Sequence, residues 1–262
     1  MEFITVNDLT FHARFRDGPG PTLVFSNSLG TDFRIWNGVI AALPGEYRLL
    51  CYDTRGHGLS EMGPPGAEIA DHAADLAALM SAYDIADAVI CGLSVGGLVA
   101  QALAAAHPDR VSGLILSNTG SKIGTEQIWA ARIEAVHKNG IASVADQVMA
   151  MWFSARYRAD HPAPLAGWRA MLSRTPIAGY TALCGAISRA DFRATAPGIS
   201  VPTLCIGGTE DGSTPPSMLR ELAGAIPDAR AEIIDGVGHI PCVEAPGDIA
   251  RLIAGHMRAC GA

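Results

Sequence analysis

The feature that most limits what this chain can fold into is a rhythm of short apolar runs separated by helix-like segments. Thr22 to Ser26, Tyr47 to Tyr52, Ala88 to Cys91, Val111 to Ser117, Pro202 to Gly207 and Ala231 to Ile234 each read as a strand. The run Thr22-Leu23-Val24-Phe25-Ser26 is of the kind buried on both faces. Between them, apolar residues recur at helical spacing near Ile35 to Leu43, Ile69 to Tyr83, Ser94 to His107, Pro216 to Ala225 and Gly247 to Arg258. Such alternation predicts βαβ units in a mostly parallel, doubly wound sheet. Ahead of it, Glu2 to Val6 and Leu9 to Phe15, joined at Asn7-Asp8, predict a β-hairpin. The rhythm breaks once. From about Thr119 to Pro197 the pattern is helical, holds three of the four tryptophans and contains no convincing strand. The expected organisation is therefore an α/β core of residues 1–119 and 198–262, with residues 120–197 inserted as a helical cap. The polar residues Asp71, His72 and Asp75 are expected on a solvated face of their helix.

Composition removes several classes of function. With 49% hydrophobic and 17% charged residues over 262 positions, the chain buries a sizeable core and is not a disordered segment. A net charge of −7 without any Lys/Arg cluster argues against a nucleic-acid partner. No apolar run reaches the roughly 18 residues of a membrane span. The start, Met1-Glu2-Phe3-Ile4-Thr5-Val6, lacks the basic and apolar regions of a signal peptide, so a cytoplasmic location is expected. None of the six cysteines forms a C-x-x-C pair, which predicts buried free thiols. No metal-ligand spacing and no phosphate-cradling loop appears, so neither metal nor cofactor is expected.

The sharpest local signal is Gly92-Leu93-Ser94-Val95-Gly96-Gly97, with a strand before it and a helix after it. That context is the one a nucleophile elbow requires. The glycines remove side chains where helix and strand cross closely, and the tight turn presents the Ser94 hydroxyl at the carboxyl edge of the sheet. A serine hydroxyl needs a base to become a nucleophile. His239, in the loop after Ala231 to Ile234, is the candidate. His57, in Arg55-Gly56-His57-Gly58, is the rival, but it precedes the serine, whereas this arrangement supplies its partners in the order Ser, acid, His. The plain reading of His57 is a loop histidine bonded to nearby backbone. An acid must hold the imidazole in the right tautomer. Asp211 is the choice, with Glu210 and Asp235 as alternatives that otherwise cap turns. Backbone N–H donors for a developing oxyanion are expected from Val95 and, in Asn27-Ser28-Leu29-Gly30, from Leu29.

Together these stretches resemble the α/β-hydrolase family. They are most similar to 3-oxoadipate enol-lactonases, through Asn27 to Asp32, Tyr52 to Gly58, Gly92 to Gly97, Trp129 with Arg132-Ile133, Gly179-Tyr180 through Cys184 to Ile187, and Gly208 to Pro216. Val95 departs from the methionine expected in the elbow, and Gly238-His239-Ile240-Pro241 from an alanine-histidine-leucine run. The resemblance implies an α/β-hydrolase fold with an inserted cap. It also implies a serine hydrolase that opens the enol-lactone ring to 3-oxoadipate in aromatic-compound degradation by the β-ketoadipate pathway, without a cofactor. The substrate it implies is a small anionic lactone, which a chain of charge −7 attracts only through a local cation. Trp129 and Arg132, three apart on one helix face, are the expected pocket residues, while Trp152 and Trp168 are expected in the core. A general carboxylesterase or a cofactor-free perhydrolase on the same triad is the alternative, and a small-molecule receptor on this scaffold a more distant one. A haloalkane dehalogenase would carry a carboxylate at position 94.

Overall fold

The computed structural model describes residues 1–261. Eight strands form one sheet: β1 (Glu2–Val6), β2 (Leu9–Arg16), β3 (Thr22–Ser26), β4 (Arg48–Tyr52), β5 (Ala88–Leu93), β6 (Val111–Ser117), β7 (Thr203–Gly208) and β8 (Ala229–Ile234). Their spatial order is β1-β2-β4-β3-β5-β6-β7-β8. β2 runs antiparallel to β1 and β4; every other pair is parallel. The hairpin closes as expected, because Asn7 (φ 51°) and Asp8 (φ 60°) take the left-handed turn that matches strand twist. All residues of β3, β5 and β7 are buried, as their uninterrupted apolar runs require.

The chain winds outward in one direction from β3 to β4, then returns and winds the other way from β5 onward. The strand order therefore reverses between β3 and β5, and the carboxyl edge at such a reversal is the place where open α/β sheets bind ligands. Two helix pairs pack along the sheet, α1 (Asn37–Ala42) with a late helix over Pro246–Ala259, and α2 (Ile69–Ala82) with α3 (Val95–Ala106). A short 3₁₀ turn, Phe33–Trp36, takes the first part of the predicted Ile35 to Leu43 helix.

Between β6 and β7 come five helices: α4 (Glu126–Asn139), α5 (Ala145–Trp152), α6 (Ala155–Asp160), α7 (Pro162–Ser173) and α8 (Ile177–Arg189). Thr125 and Ser154 cap α4 and α6 with side-chain oxygens that accept the N–H of Ile128 (3.3 Å) and Tyr157 (3.1 Å). α4 packs on α8 and α5 on α7. The rest of the chain is α9 (Pro216–Ala225), the short α10 (Pro241–Glu244) and α11 (Pro246–Ala259). Trp152 is buried, but Trp168 is only half-buried: its indole N–H reaches the Tyr157 hydroxyl at 3.2 Å and its ring walls an open cleft. Five cysteines are buried, Cys260 is half-buried, and the described residues contain no disulfide. No helix among them is long and apolar enough to cross a membrane, and no group of three or more His, Cys, Asp or Glu is placed to hold a metal.

One expectation is overturned. Asp71 is exposed, but His72 and Asp75 face inward under the loop after β4. Arg55 makes a fork to Asp75 at 2.6 and 2.7 Å, and His72 Nδ1 meets the Thr54 hydroxyl at 3.1 Å. An Ala-rich helix offers few strong hydrophobic positions, so its buried face cannot be read from spacing alone, and the partner Arg55 lies 20 residues away. Burial holds the imidazole of His57 down at about 4 and that of His72, helped by the Arg55 charge, at about 3.

This sets a stability window. Both histidines take up protons in the unfolded chain near pH 6.5 but resist them when folded, so the unfolded state binds more protons as pH falls and stability drops with it. At pH 4 the penalty for His57 alone is about 3 kcal/mol, and His72 adds a similar amount. Total stabilities of about 5–15 kcal/mol leave little margin for that. Urea melts are expected to show stability falling steeply between pH 6.5 and 4; a flat profile over that range would contradict the burial of both rings as neutral imidazoles.

Candidate active site

The elbow begins with backbone geometry. Ser94 sits between β5 and α3 at φ 57°, ψ −116°, a strained conformation for a residue with a side chain. It is over-determined by its neighbours: Ser94 N–H donates to Ser117 O (2.9 Å), while Ser94 O accepts from Gly97 N–H (2.9 Å) and the Thr119 hydroxyl (2.7 Å). A Cβ at Gly92 would run into the Gly96 carbonyl, and one at Gly96 into the Ser26 carbonyl. The glycine at 96 thus lets the first turn of α3 lie directly against the loop after β3.

That contact places the start of α3 beside Ser26 and Asn27, two residues before Leu29. Val95 opens α3, so its N–H has no intrahelical acceptor. Neither Val95 N–H nor Leu29 N–H donates to a backbone acceptor among the described residues. The Leu29 loop is braced from below: Asn27 donates to Tyr52 O (2.7 Å) and accepts from the Trp36 indole (2.9 Å), and Ser28 O accepts both N–H and hydroxyl of Thr31 at 3.2 and 2.8 Å. Asn27 is therefore committed to bracing the loop, while the N–H of Leu29 keeps no backbone acceptor.

Asp211 and His239 meet. His239 Nδ1 lies 2.9 and 3.0 Å from the two carboxylate oxygens of Asp211, and both side chains are buried. The bond uses Nδ1, so Nε2 is the nitrogen available to a base. Burial by itself pushes the Asp211 carboxyl up, but the facing His239 charge, its hydrogen bond, and the Thr214 N–H and hydroxyl outweigh it and hold the acid at about 2. Of the alternatives, Glu210 is exposed and accepts from Ala155 N–H (3.1 Å), and Asp235 is exposed and accepts from the Thr209 hydroxyl (3.1 Å). Neither bonds to His239. His57 is fully buried, with Nδ1 3.3 Å from Arg55 O, which matches its plain reading as a loop histidine bonded to backbone.

In the cap, Trp129 is half-buried and its indole donates to Ile123 O at 2.7 Å. Arg132 points from α4 to α8 and donates to the Tyr180 hydroxyl at 3.2 Å. Burial pushes the Tyr180 phenol up to about 12, so the guanidinium faces a neutral partner and its charge is not cancelled by it. The Tyr180 ring in turn packs on Gly30, 3.2 Å from where a Cβ would stand there, one residue from Leu29.

Residues 21–246 match the family described as alpha/beta hydrolase fold. The chain belongs to this family. It is 34% identical to 3-oxoadipate enol-lactonase 2 of Acinetobacter baylyi over 244 residues, covering 93% of this chain and 91% of that one. The crystal structure of the enol-lactonase from Burkholderia xenovorans LB400 superposes with a TM-score of 0.94 at 40% identity, covering 98% of this chain and 100% of that one. A thermophilic esterase from Thermogutta terrifontis, described with malate bound, gives a TM-score of 0.92 at 26% identity, covering 99% of each chain.

Three positions of this α/β-hydrolase have contacts to which the sequence alone assigns no role. Asn118, the first residue after β6, donates to Asp211 Oδ2 at 2.8 Å. Tyr180 carries Arg132, as above. Glu244 ties the His239 loop to the inserted helices: its carboxylate accepts Gly238 N–H (3.0 Å), Ser154 N–H (3.1 Å) and the Ser154 hydroxyl (2.6 Å). Beside it, Trp152 O accepts the N–H of His239 itself at 2.8 Å. A polar residue directly after a buried strand marks Asn118 in the sequence, and the shared Gly179-Tyr180 stretch marks Tyr180; nothing local marks Glu244. A cleft of about 940 Å³ opens elsewhere, between α7 and the segment from Thr31 to Gly38, and neither Ser94, Asp211 nor His239 lines it.

Proposed function

We propose that this α/β-hydrolase opens the ring ester of a small anionic enol-lactone, with 3-oxoadipate enol-lactone as substrate and 3-oxoadipate as product. The observation that carries the reading is the buried His239–Asp211 bond at 2.9 Å, in a chain whose strained Ser94 turn is packed against a loop with an unspent N–H. Similarity to enol-lactonases from two organisms supports the substrate class.

In this reading Ser94 Oγ attacks the ring carbonyl while His239 Nε2 takes its proton. The oxyanion forms within reach of Leu29 N–H and Val95 N–H, groups fixed before the reaction and so costing no reorganisation during it. Collapse of the tetrahedral intermediate breaks the ring C–O bond. The leaving oxygen departs as an enol, protonated by the His239 imidazolium, and relaxes to a ketone while the rest of the molecule stays esterified to Ser94. Water then attacks the acyl-enzyme, His239 takes its proton and returns it to Ser94, and the second carboxylate is released. Asp211, ionised at all working pH values because its acid is held at about 2, keeps Nδ1 protonated and supports the imidazolium.

Arg132 supplies the local cation that a chain of net charge −7 otherwise lacks for an anionic substrate. Arg132→Ala is expected to raise KM for the lactone about 10- to 100-fold, the loss of one charge-assisted contact, and to leave a neutral nitrophenyl ester almost unchanged. Equal losses on both substrates would instead mark Arg132 as cap packing. The deciding assay compares kcat/KM on the enol-lactone and on the nitrophenyl ester with purified enzyme. A large preference for the simple ester would replace the lactonase reading with that of a general carboxylesterase.

A further inference from the structure

Asn118 takes no part in the bond changes above, yet its amide bonds both the acid and the backbone beside the base. It is fully buried and holds φ 46°, with its N–H bonded to Ile206 O of β7 at 2.7 Å. Its Nδ2 donates both to Asp211 Oδ2 (2.8 Å) and to Gly238 O (3.2 Å), the carbonyl directly before His239. The Ser117 hydroxyl donates to its Oδ1 at 2.9 Å, which fixes the amide orientation: the reverse would set an oxygen against both a carboxylate and a carbonyl. The flanking residues hold Ser94 by its N–H and its carbonyl. Three consecutive residues thus reach nucleophile, acid and base loop.

The other donors to Asp211 differ in kind. Ser213 N–H (2.7 Å), Thr214 N–H (2.9 Å) and the Thr214 hydroxyl (2.7 Å) lie two and three residues along the same loop and travel with the acid. Asn118 alone among these donors comes from another element, the end of the central strand β6. We infer that Asn118 is a positioning residue, which sets the acid loop and the base loop at the spacing that keeps Asp211 on His239 Nδ1. The inference rests on the assignment of Ser94, Asp211 and His239 as nucleophile, acid and base.

The test is Asn118→Gly, since glycine accepts φ 46° without strain and only the amide is removed. On a neutral nitrophenyl ester kcat is expected to fall about 10- to 100-fold with KM within about twofold, the size of one hydrogen bond to a buried charge. In an Asp211→Asn background, with no carboxylate left to place, the same change is expected to cost less than about threefold, because residues acting through one another are not additive. The low-field NMR resonance of the His239 Nδ1 proton is expected to broaden or move in Asn118→Gly. An equal loss in both backgrounds, or an unmoved resonance, would make Asn118 a structural residue and overturn the inference. Should Asn118→Gly not fold, Ser117→Ala releases the same amide at little cost in volume; it is expected to slow kcat about threefold or more in the parent and not in Asp211→Asn. If Ser94→Ala and Asp211→Asn both lower kcat by about 10³-fold or more while Asn118→Gly stays within twofold of the parent, this inference fails alone. If Ser94→Ala itself stays active, the assignment of the site falls with it.

Discussion

Ser94→Ala is expected to lower kcat by about 10⁴- to 10⁶-fold on lactone and ester alike, with the fold intact. The alcohol is the only group at the elbow able to form the acyl intermediate. Its partners do nothing without it, so the loss approaches that of removing the whole constellation. The same variant should lose labelling by a serine-directed phosphonate while keeping the parent's thermal unfolding curve. It should not be destabilised, because Ser94 is held in its strained turn by backbone groups and Thr119, not by its own hydroxyl. Activity within tenfold of the parent would remove Ser94 from the chemistry.

The second large effect is expected from Asp211→Asn, about 10³- to 10⁴-fold in kcat. The amide keeps the shape of the acid, but its NH₂ can face Nδ1 and favour the tautomer with the proton on Nε2, where it cannot accept from serine. KM should change little. Glu210→Gln and Asp235→Asn, both exposed and bonded elsewhere, should stay within about twofold of the parent, and this contrast separates a specific acid from general loss of negative charge at that edge. A deep loss in either of those two variants would move the role of acid away from Asp211.

What could be read from residue order, and what could not, divides along range. The strands announced themselves as unbroken apolar runs, and the elbow as glycines two before and two after a serine, because both are decided within a few neighbouring residues. The meeting of Asp211 and His239 was accessible through chain order, since a parallel sheet puts successive strand ends along one edge. The burial of His72 and Asp75 was not, because it depends on Arg55 arriving from a different loop. Trp168 is a mixed case: it packs against the core as expected, but it stays half-buried, with its indole on Tyr157 and its ring along an open cleft. Asn118 and Glu244 act between segments 93 and 90 residues distant, and although its place after a strand marks Asn118, no local pattern names the partner of either.

The clasp formed by Trp152 O and by Ser154 with Glu244 has a bearing on redesign. Because the segment that follows α5 grips the backbone of the histidine loop, the cap is no interchangeable lid. A graft that replaces residues 120–197 would also release the His239 loop from these contacts. Chimeras should therefore carry over this short stretch unchanged and vary α4 and α8 instead, so that the insert is altered while the seat of the proposed base is kept.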